Sequence, residues 1–91
     1  MILTLKNNEQ RKRFETERDG KTAFIDYTIH GNTYNLTHTE VPEEIRGKGI
    51  GTQLVKRTLD FIKESRKSVN PACPFVAQVI KKNAEYKSLI A

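Results

Sequence analysis

Alternating apolar positions and two turn signals predict three strands in the first half of the chain. Between the turns Asp19-Gly20 and Gly31-Asn32, the residues Ala23 to Ile29 are apolar at every second position, which is the period of a pleated strand. The same alternation continues beyond the second turn through Tyr34 and Leu36. The predicted strands are about Arg13–Arg18, Lys21–His30 and Asn32–Val41, and together they indicate an antiparallel meander.

The period changes to that of a helix after the third strand. From about Gly49 to Arg66, one face is apolar and the opposite face is polar, which predicts an amphipathic helix. A short extended piece at Ser68–Cys73 follows, and Pro74 then suits the first turn of a second helix at about Pro74–Lys82. We expect the tail, Ala84–Ala91, to pack back on the core.

The order of these elements, β-β-β-α-β-α, predicts an α+β or α/β-like fold. The 91 residues correspond to one small domain, taken here as 1–91. Because a helix crosses between the third strand and the last one, we expect these two strands to be parallel. A short additional strand at Ile2–Leu5 would extend the meander.

Composition narrows the cellular setting. No segment is long and apolar enough to span a membrane, so we expect no membrane partner. Cys73 is the single cysteine, which excludes an internal disulfide and favours a reducing, cytoplasmic location. The two histidines and this cysteine lie far apart in sequence, so we predict no metal site.

The net charge of +5 is concentrated in the second part of the chain. Residues 1–55 contain eight basic and eight acidic side chains, whereas residues 56–91 contain eight basic and three acidic ones. A basic C-terminal part suits an anionic partner, either a nucleotide-like cofactor or nucleic acid. A solvated helix face explains the same charges equally well.

Three glycines in five residues, Gly47, Gly49 and Gly51, separate the third strand from the first helix. Glycine costs backbone entropy, so such a run favours open backbone N–H groups that grip a phosphate at a helix N-terminus. The G-x-G-x-G spacing differs from the dinucleotide fingerprint, and Lys48 is followed by glycine, unlike a Walker loop. A tight turn with glycines that pack the helix is the alternative interpretation.

The pattern Arg46-x-x-Gly49-x-Gly51 resembles the [Q/R]-x-x-G-x-[G/A] signature of the GNAT superfamily of N-acetyltransferases. Its position between a strand and a helix is also the one used in that superfamily. The resemblance implies a GNAT-type fold, in which an antiparallel meander is followed by α-β-α, and acetyl-CoA as the acetyl donor.

Further segments resemble the minimal, YjdJ-like group of GNAT proteins, which lacks the N-terminal helices and last strands of larger members. The likeness covers roughly Phe24 to Leu89. The chain departs from the group at Lys82-Asn83-Ala84, where a His-Pro often stands. The matching segments are His38–Pro42, Cys73–Val76 and Ala84–Tyr86.

The resemblance assigns the contacts with acetyl-CoA to two segments. The strand end from Thr39 to Val41 would pair with the pantetheine arm. Basic side chains, namely Arg46, Lys48 or Lys81, would meet the adenosine phosphates. The backbone N–H groups that would hold the pyrophosphate are those of Arg46, Gly47, Lys48, Gly49, Ile50, Gly51 and Thr52.

The reaction implied by the family is direct attack of a neutral amine on the thioester, which requires a base for the amine proton. Glu40 is the first candidate, since related enzymes often place a carboxylate at this strand end. His38 lies two residues away and would share the face of Glu40, and an imidazole side chain can relay a proton near neutral pH. A solvated carboxylate and a structural histidine are the respective alternatives.

Cys73 and Tyr86 are the remaining catalytic candidates. Cys73 precedes Pro74 at a predicted helix start, where the helix dipole lowers a thiol pKa, so it could carry an acetyl group or protonate the departing thiol. Tyr86 could protonate the thiolate, as a tyrosine near this point does in many GNAT enzymes. Packing in the core is the alternative for both residues.

The leading hypothesis is therefore an acetyl-CoA-dependent N-acetyltransferase acting on an amine, which could belong to a protein. A non-catalytic acyl-CoA-binding or sensing module is the second hypothesis. A basic nucleic-acid-binding domain ranks third, because the chain has neither a helix-turn-helix pattern nor an aromatic RNA-binding signature.

Overall fold

The computed structural model describes residues 3–91 as a five-stranded sheet with two helices packed on one face. Two 3₁₀ segments, Glu43–Ile45 and Ala84–Leu89, complete the described elements. The strands are β1 (Lys6–Asn8), β2 (Arg13–Arg18), β3 (Lys21–His30), β4 (Thr33–Glu40) and β5 (Ser68–Asn70), and the helices are α1 (Ile50–Glu64) and α2 (Pro74–Lys82).

The strands lie side by side in chain order. The first four form antiparallel pairs, and β5 pairs with β4 in parallel, because α1 carries the chain back across the sheet. The predicted meander and the predicted parallel last strand are both confirmed.

The core lies between α1, α2 and the sheet face that they cover. Fully buried side chains from the sheet and from both helices meet there. Burial of each large side chain contributes about 1.5–3 kcal/mol to the free energy of unfolding. Among the described residues no helix covers the opposite sheet face, where Arg13 forms an ion pair with Asp26 at 3.1 Å and stacks over the ring of Phe24. The largest buried side chains include Phe14, Ile25, Leu36, Leu54, Leu59 and Ile62.

The first strand differs from its prediction. The additional strand expected at Ile2–Leu5 begins outside the described residues, and Leu3 to Leu5 are not strand. The strand instead covers polar residues, Lys6–Asn8, because its pairing with β2 sets its position while Leu3 is taken up by the core. Asn7 adds a side-chain acceptor for the Tyr27 hydroxyl at 2.6 Å.

The other bounds differ from the predictions by a few residues at each end. The first helix starts after Gly49 and ends before Ser65, because Arg66 adopts a left-handed backbone with φ 58° that a helix cannot continue. The tail packs on the core as predicted: Tyr86 and Leu89 are buried, and Ile90 forms a bridge with Val69 at the outer edge of β5. In the part of the chain described, no helix combines the length and apolarity that crossing a bilayer requires.

Candidate functional site

β4 and β5 separate at one end of the sheet, and a cavity lies between the end of β4, the start of α1 and Phe75 of α2. Their pairing stops after Asn35 and Asn70, and a last hydrogen bond, from the Cys73 N–H to the Leu36 carbonyl at 2.8 Å, closes the gap on that side. Beyond this bond, β4 runs on to Glu40 paired with β3 but no longer with β5. The cavity has a volume of about 510 Å³ and is lined by Thr39, Glu40, Val41, Arg46, Gly47, Gly49, Ile50, Gly51, Thr52 and Phe75.

The glycine loop and the first turn of α1, residues 46–52, line another part of this cavity and are called the cradle below. Gly47 and Gly49 have φ of 82° and 74°, a left-handed backbone that glycine adopts without steric cost. Gly49 is the N-cap of α1, and the first bond inside the helix is donated by Gln53. The N–H groups of residues 50–52 therefore have no acceptor within the helix, and the helix dipole adds to their attraction for an anion.

Gly51 has a different role from the other two glycines. A Cβ atom at this position would lie 3.2 Å from the ring of Phe75 and 3.3 Å from a methyl group of Val41. The absence of a side chain at Gly51 therefore lets Phe75 lie directly over the first turn of α1.

Phe75 is a lining residue that the sequence analysis did not identify. Its side chain is 37% exposed although it follows Pro74 at the start of a helix that packs on the core. Its position on α2 could have identified it in the sequence. The core-facing residues of α2 are Val76, Val79 and Ile80, so an apolar residue at position 75 lies outside the buried face.

The basic candidates differ in where their side chains lie. The Nε–H group of Arg46 donates a hydrogen bond to the Val41 carbonyl at 2.8 Å, which holds the two ends of the segment 41–46 close together beside the cavity. Lys48 forms an exposed ion pair with Asp19 at 3.5 Å, and neither Lys48 nor Lys81 is among the lining residues.

A β-bulge decides which way the end of β4 faces. Leu36 pairs with Tyr27 and His38 pairs with Asp26, so Thr37 is an extra residue in the ladder. The extra residue reverses the alternation, which sends His38 to the open face of the sheet although Leu36 faces the core.

Glu40 and His38 meet on that open face at the mouth of the cavity. The Nε2 atom of His38 lies 3.0 Å from the Oε1 atom of Glu40, and both side chains are about half exposed. The guanidinium of Arg46 lies 3.9 Å from the other carboxylate oxygen. The expected shared face is therefore present, and it is the face that the helices leave uncovered.

Cys73 and Thr39 meet on the opposite, core-facing side of the cavity. The Thr39 Oγ1 atom lies 3.5 Å from the Cys73 Sγ atom, and Cys73 itself is buried. Burial raises the pKa of the Cys73 thiol, but hydrogen bonds from the Thr39 hydroxyl and the N–H groups of Val76 and Phe75 outweigh it, so the pKa is lowered.

Tyr86 lies apart from the other catalytic candidates. Its hydroxyl donates to the Asp60 carboxylate at 3.0 Å, and Tyr86 is not among the lining residues of the cavity. Asp60 is ten residues along α1 from Ile50, which corresponds to about 15 Å. Burial is the largest cause that raises the pKa of Tyr86, and the hydrogen bond to the Asp60 carboxylate is the second. Together they raise this pKa to about 12.

Known proteins resemble this chain over most of its length. Protein NATD1 from Xenopus tropicalis is 30% identical over 84 residues, which are 89% of this chain and 77% of that protein. The proteins of the same name from Mus musculus and Homo sapiens are 31% and 30% identical over 84 residues, again 89% of this chain. These residues are 76% of the Mus musculus protein and 74% of the Homo sapiens protein. The NMR solution structure of a GCN5-like protein from Staphylococcus aureus superposes with a TM-score of 0.73 and 26% identity, covering 98% of this chain and 88% of the other.

The family assignment follows from a match that is longer than the glycine loop. The model of the family described as GCN5-related N-acetyl-transferase matches residues 13–89, from the second strand to the packed tail. The narrower assignment to the minimal YjdJ-like group stays a prediction. The chain belongs to the GCN5-related N-acetyltransferase family, the GNAT superfamily.

Proposed function

We propose that this protein transfers the acetyl group of acetyl-CoA to an amine. One observation carries the proposal: a single cavity joins the N–H groups at the start of α1, which have no acceptor within the helix, to the end of β4, which pairs with β3 but no longer with β5. The cradle, followed by an open strand edge, suits a long ligand with a pyrophosphate at one end and amide groups along its arm.

The donor would lie along this cavity. The N–H groups of residues 46–52 would hold the pyrophosphate, and the strand end from Thr39 to Val41 would pair with the amides of the pantetheine arm. Arg46 lines the cavity and would meet a phosphate, whereas Lys48 and Lys81 would reach the adenosine phosphates only by moving from the positions described.

Glu40 would act as the base. Its carboxylate lines the cavity and also reaches the open sheet face, so an amine arriving from solvent meets it at the mouth. Glu40 would take the amine proton and pass it to His38 at 3.0 Å. The Val41 N–H would donate to the carbonyl oxygen as negative charge develops there.

The side of the cavity from which an amine acceptor would approach is wide. Within residues 3–91, no helix covers the face next to His38 and Glu40, and both side chains are exposed to solvent, so nothing described there encloses a small metabolite. An amine on a protein surface therefore fits this mouth. Cys73 is an alternative carrier of the acetyl group. The role of Tyr86 as an acid, which the sequence suggested, stays a prediction.

An NMR titration with acetyl-CoA tests the first step. We expect the amide signals of Gly47, Gly49, Gly51 and Thr52 to shift and saturate, while those of Gly31, in a distant glycine turn, stay in place. Absence of any shift at millimolar ligand would contradict donor binding.

The second step is tested by release of free CoA in the presence of pooled amines and protein lysines. We expect release from the wild type and a strong loss in Glu40→Gln. Saturable binding without release to any amine would favour the non-catalytic acyl-CoA-binding module instead.

A further inference from the structure

The Thr39 hydroxyl, which lines the cavity, is in contact with the buried Cys73 thiol behind it, and this side of the cavity is called its closed end. The hydrogen bond from Cys73 to Leu36 closes the gap between the strands, and Thr39 is the lining residue that reaches Cys73 from the cavity. An arm that enters from the cradle and runs along β4 therefore points toward this pair.

The proposed reaction needs a proton donor at that end. Breaking a thioester releases a thiolate, whose departure is assisted by a donor placed close to the sulfur. Of the polar side chains that line the cavity, Glu40 takes a proton at the mouth, and Arg46 and Thr52 belong to the cradle. Thr39 is the remaining one, while the Tyr86 hydroxyl is bound to Asp60 elsewhere.

We propose that the Thr39 hydroxyl protonates the departing CoA sulfur and is itself reprotonated by the Cys73 thiol. The C–N bond forms as the C–S bond breaks, and the amine proton goes to Glu40. The sulfur takes the Thr39 proton, Thr39 takes the Cys73 proton, and Cys73 is left as a thiolate that recovers a proton from water. This inference rests on the proposed function.

The surroundings of Cys73 suit this role. The thiolate left after the transfer accepts hydrogen bonds from Thr39 and from the N–H groups of Phe75 and Val76 at the start of α2, whose dipole also favours negative charge. These same groups lower the pKa of the Cys73 thiol, which makes it a better proton donor than a buried cysteine without such partners.

Two acetyl donors with different leaving groups distinguish protonation of the leaving group from all other steps of the reaction. Acetyl-CoA releases a thiolate, whereas acetyl-seleno-CoA releases a selenolate, which is a much weaker base and departs without a proton. Hydroxylamine serves as the acceptor because it is mainly neutral at pH 7 and so makes little demand on Glu40.

We expect Thr39→Val to slow release from acetyl-CoA by about 100-fold and release from acetyl-seleno-CoA by less than about threefold. Thr39→Ser keeps the hydroxyl and should retain most of the rate. The control is Thr33→Val at the other end of the same strand, whose hydroxyl lies 2.9 Å from the Ser68 hydroxyl and away from Cys73, and which should slow release from neither acetyl donor. An equal loss with both donors, or no loss, would overturn the inference.

A second readout needs no turnover. The ¹³Cβ shift of Cys73, followed from pH 6 to 10 in the free protein, should titrate at a higher pH in Thr39→Val than in the wild type, Thr39→Ser or Thr33→Val. An unchanged midpoint would disprove the link between the two residues. If the wild type transfers from neither donor despite saturated binding, the proposed function itself fails, which is a different outcome from both of these.

Discussion

The imidazole of His38 lies 3.0 Å from the carboxylate of Glu40, on the sheet face that the helices leave open. The bulge at Thr37 produces this placement, because it turns both side chains away from the core while Leu36 remains buried. The same reversal turns Thr39 toward Cys73. One extra residue in β4 thus places the proposed proton acceptor, Glu40, and the proposed proton donor, Thr39, on opposite faces of the sheet.

Substitution of Glu40 tests the acceptor side. We expect Glu40→Gln to lower the turnover number by about 100-fold, because the amide cannot take the amine proton, with little change in the affinity for acetyl-CoA. His38→Gln should cause a smaller loss, since solvent can accept the proton from an exposed carboxylate. Steady-state kinetics with the acceptor found by CoA release measures both. Equal turnover in Glu40→Gln and the wild type would exclude Glu40 as the base.

Gly49 and Gly31 form a matched pair for the cradle. Both have a left-handed backbone, with φ of 74° and 60°, and a Cβ atom at either would find almost no close neighbour. Alanine should therefore destabilise both positions similarly, by about 1–2 kcal/mol. Only Gly49→Ala should also weaken acetyl-CoA binding, by roughly tenfold, because relief of the strain turns an N–H group away from the pyrophosphate.

Isothermal titration calorimetry and urea unfolding of the two variants give the required comparison. Equal loss of affinity in Gly31→Ala would mean that the effect is one of general stability. Unchanged affinity in Gly49→Ala would remove this loop from the donor site.

Gly51 should respond differently from Gly49. The Cβ of Gly51→Ala would push the exposed end of the Phe75 ring, which can move, so the free energy of unfolding should change by less than about 1 kcal/mol. The displaced ring would enter the cavity and weaken acetyl-CoA binding. The double variant Gly51→Ala/Phe75→Ala should bind better than Gly51→Ala alone, as measured by calorimetry. No recovery would contradict a clash with Phe75 as the cause.

The sequence predicted the parts of this fold that depend on local periodicity. Alternation through Ile25 and Tyr27 indicated a strand with one buried face, and the helical spacing of Leu54 and Leu59 indicated the helix that covers it. The crossing helix then required a parallel last strand, because α1 must bring the chain back before β5 can begin.

The site depended on features that periodicity does not contain. Strict alternation would have put His38 on the same face as Leu36, and a bulge has no signal in a run of ordinary β-forming residues. Contacts between residues distant in sequence, such as Thr39 with Cys73, arise only when the strands separate. Hydrophobic patterns identify the buried face of an element and leave its individual partners undetermined.

Tyr86 offers a test of stability that is independent of the cavity. Its hydroxyl donates to Asp60 at 3.0 Å, so we expect Tyr86→Phe to lower the free energy of unfolding by about 1 kcal/mol near neutral pH. In a double-mutant cycle with Asp60→Asn, the two losses should not add, because each substitution disrupts the same hydrogen bond.

The pH dependence of that stability follows from the raised pKa. The folded protein retains the Tyr86 proton up to a pKa of about 12, whereas the unfolded chain loses it near the ordinary tyrosine pKa of 10.0. The stabilisation is therefore fully present below pH 10 and is lost as the pH rises toward 12. Urea unfolding between pH 8 and 11.5 should show a shallower alkaline decline in Tyr86→Phe than in the wild type. Part of the decline should persist in the variant, because burial also raises the pKa of Tyr27 and Tyr34. Identical slopes in both proteins would show that Tyr86 ionises equally in the folded and unfolded chains.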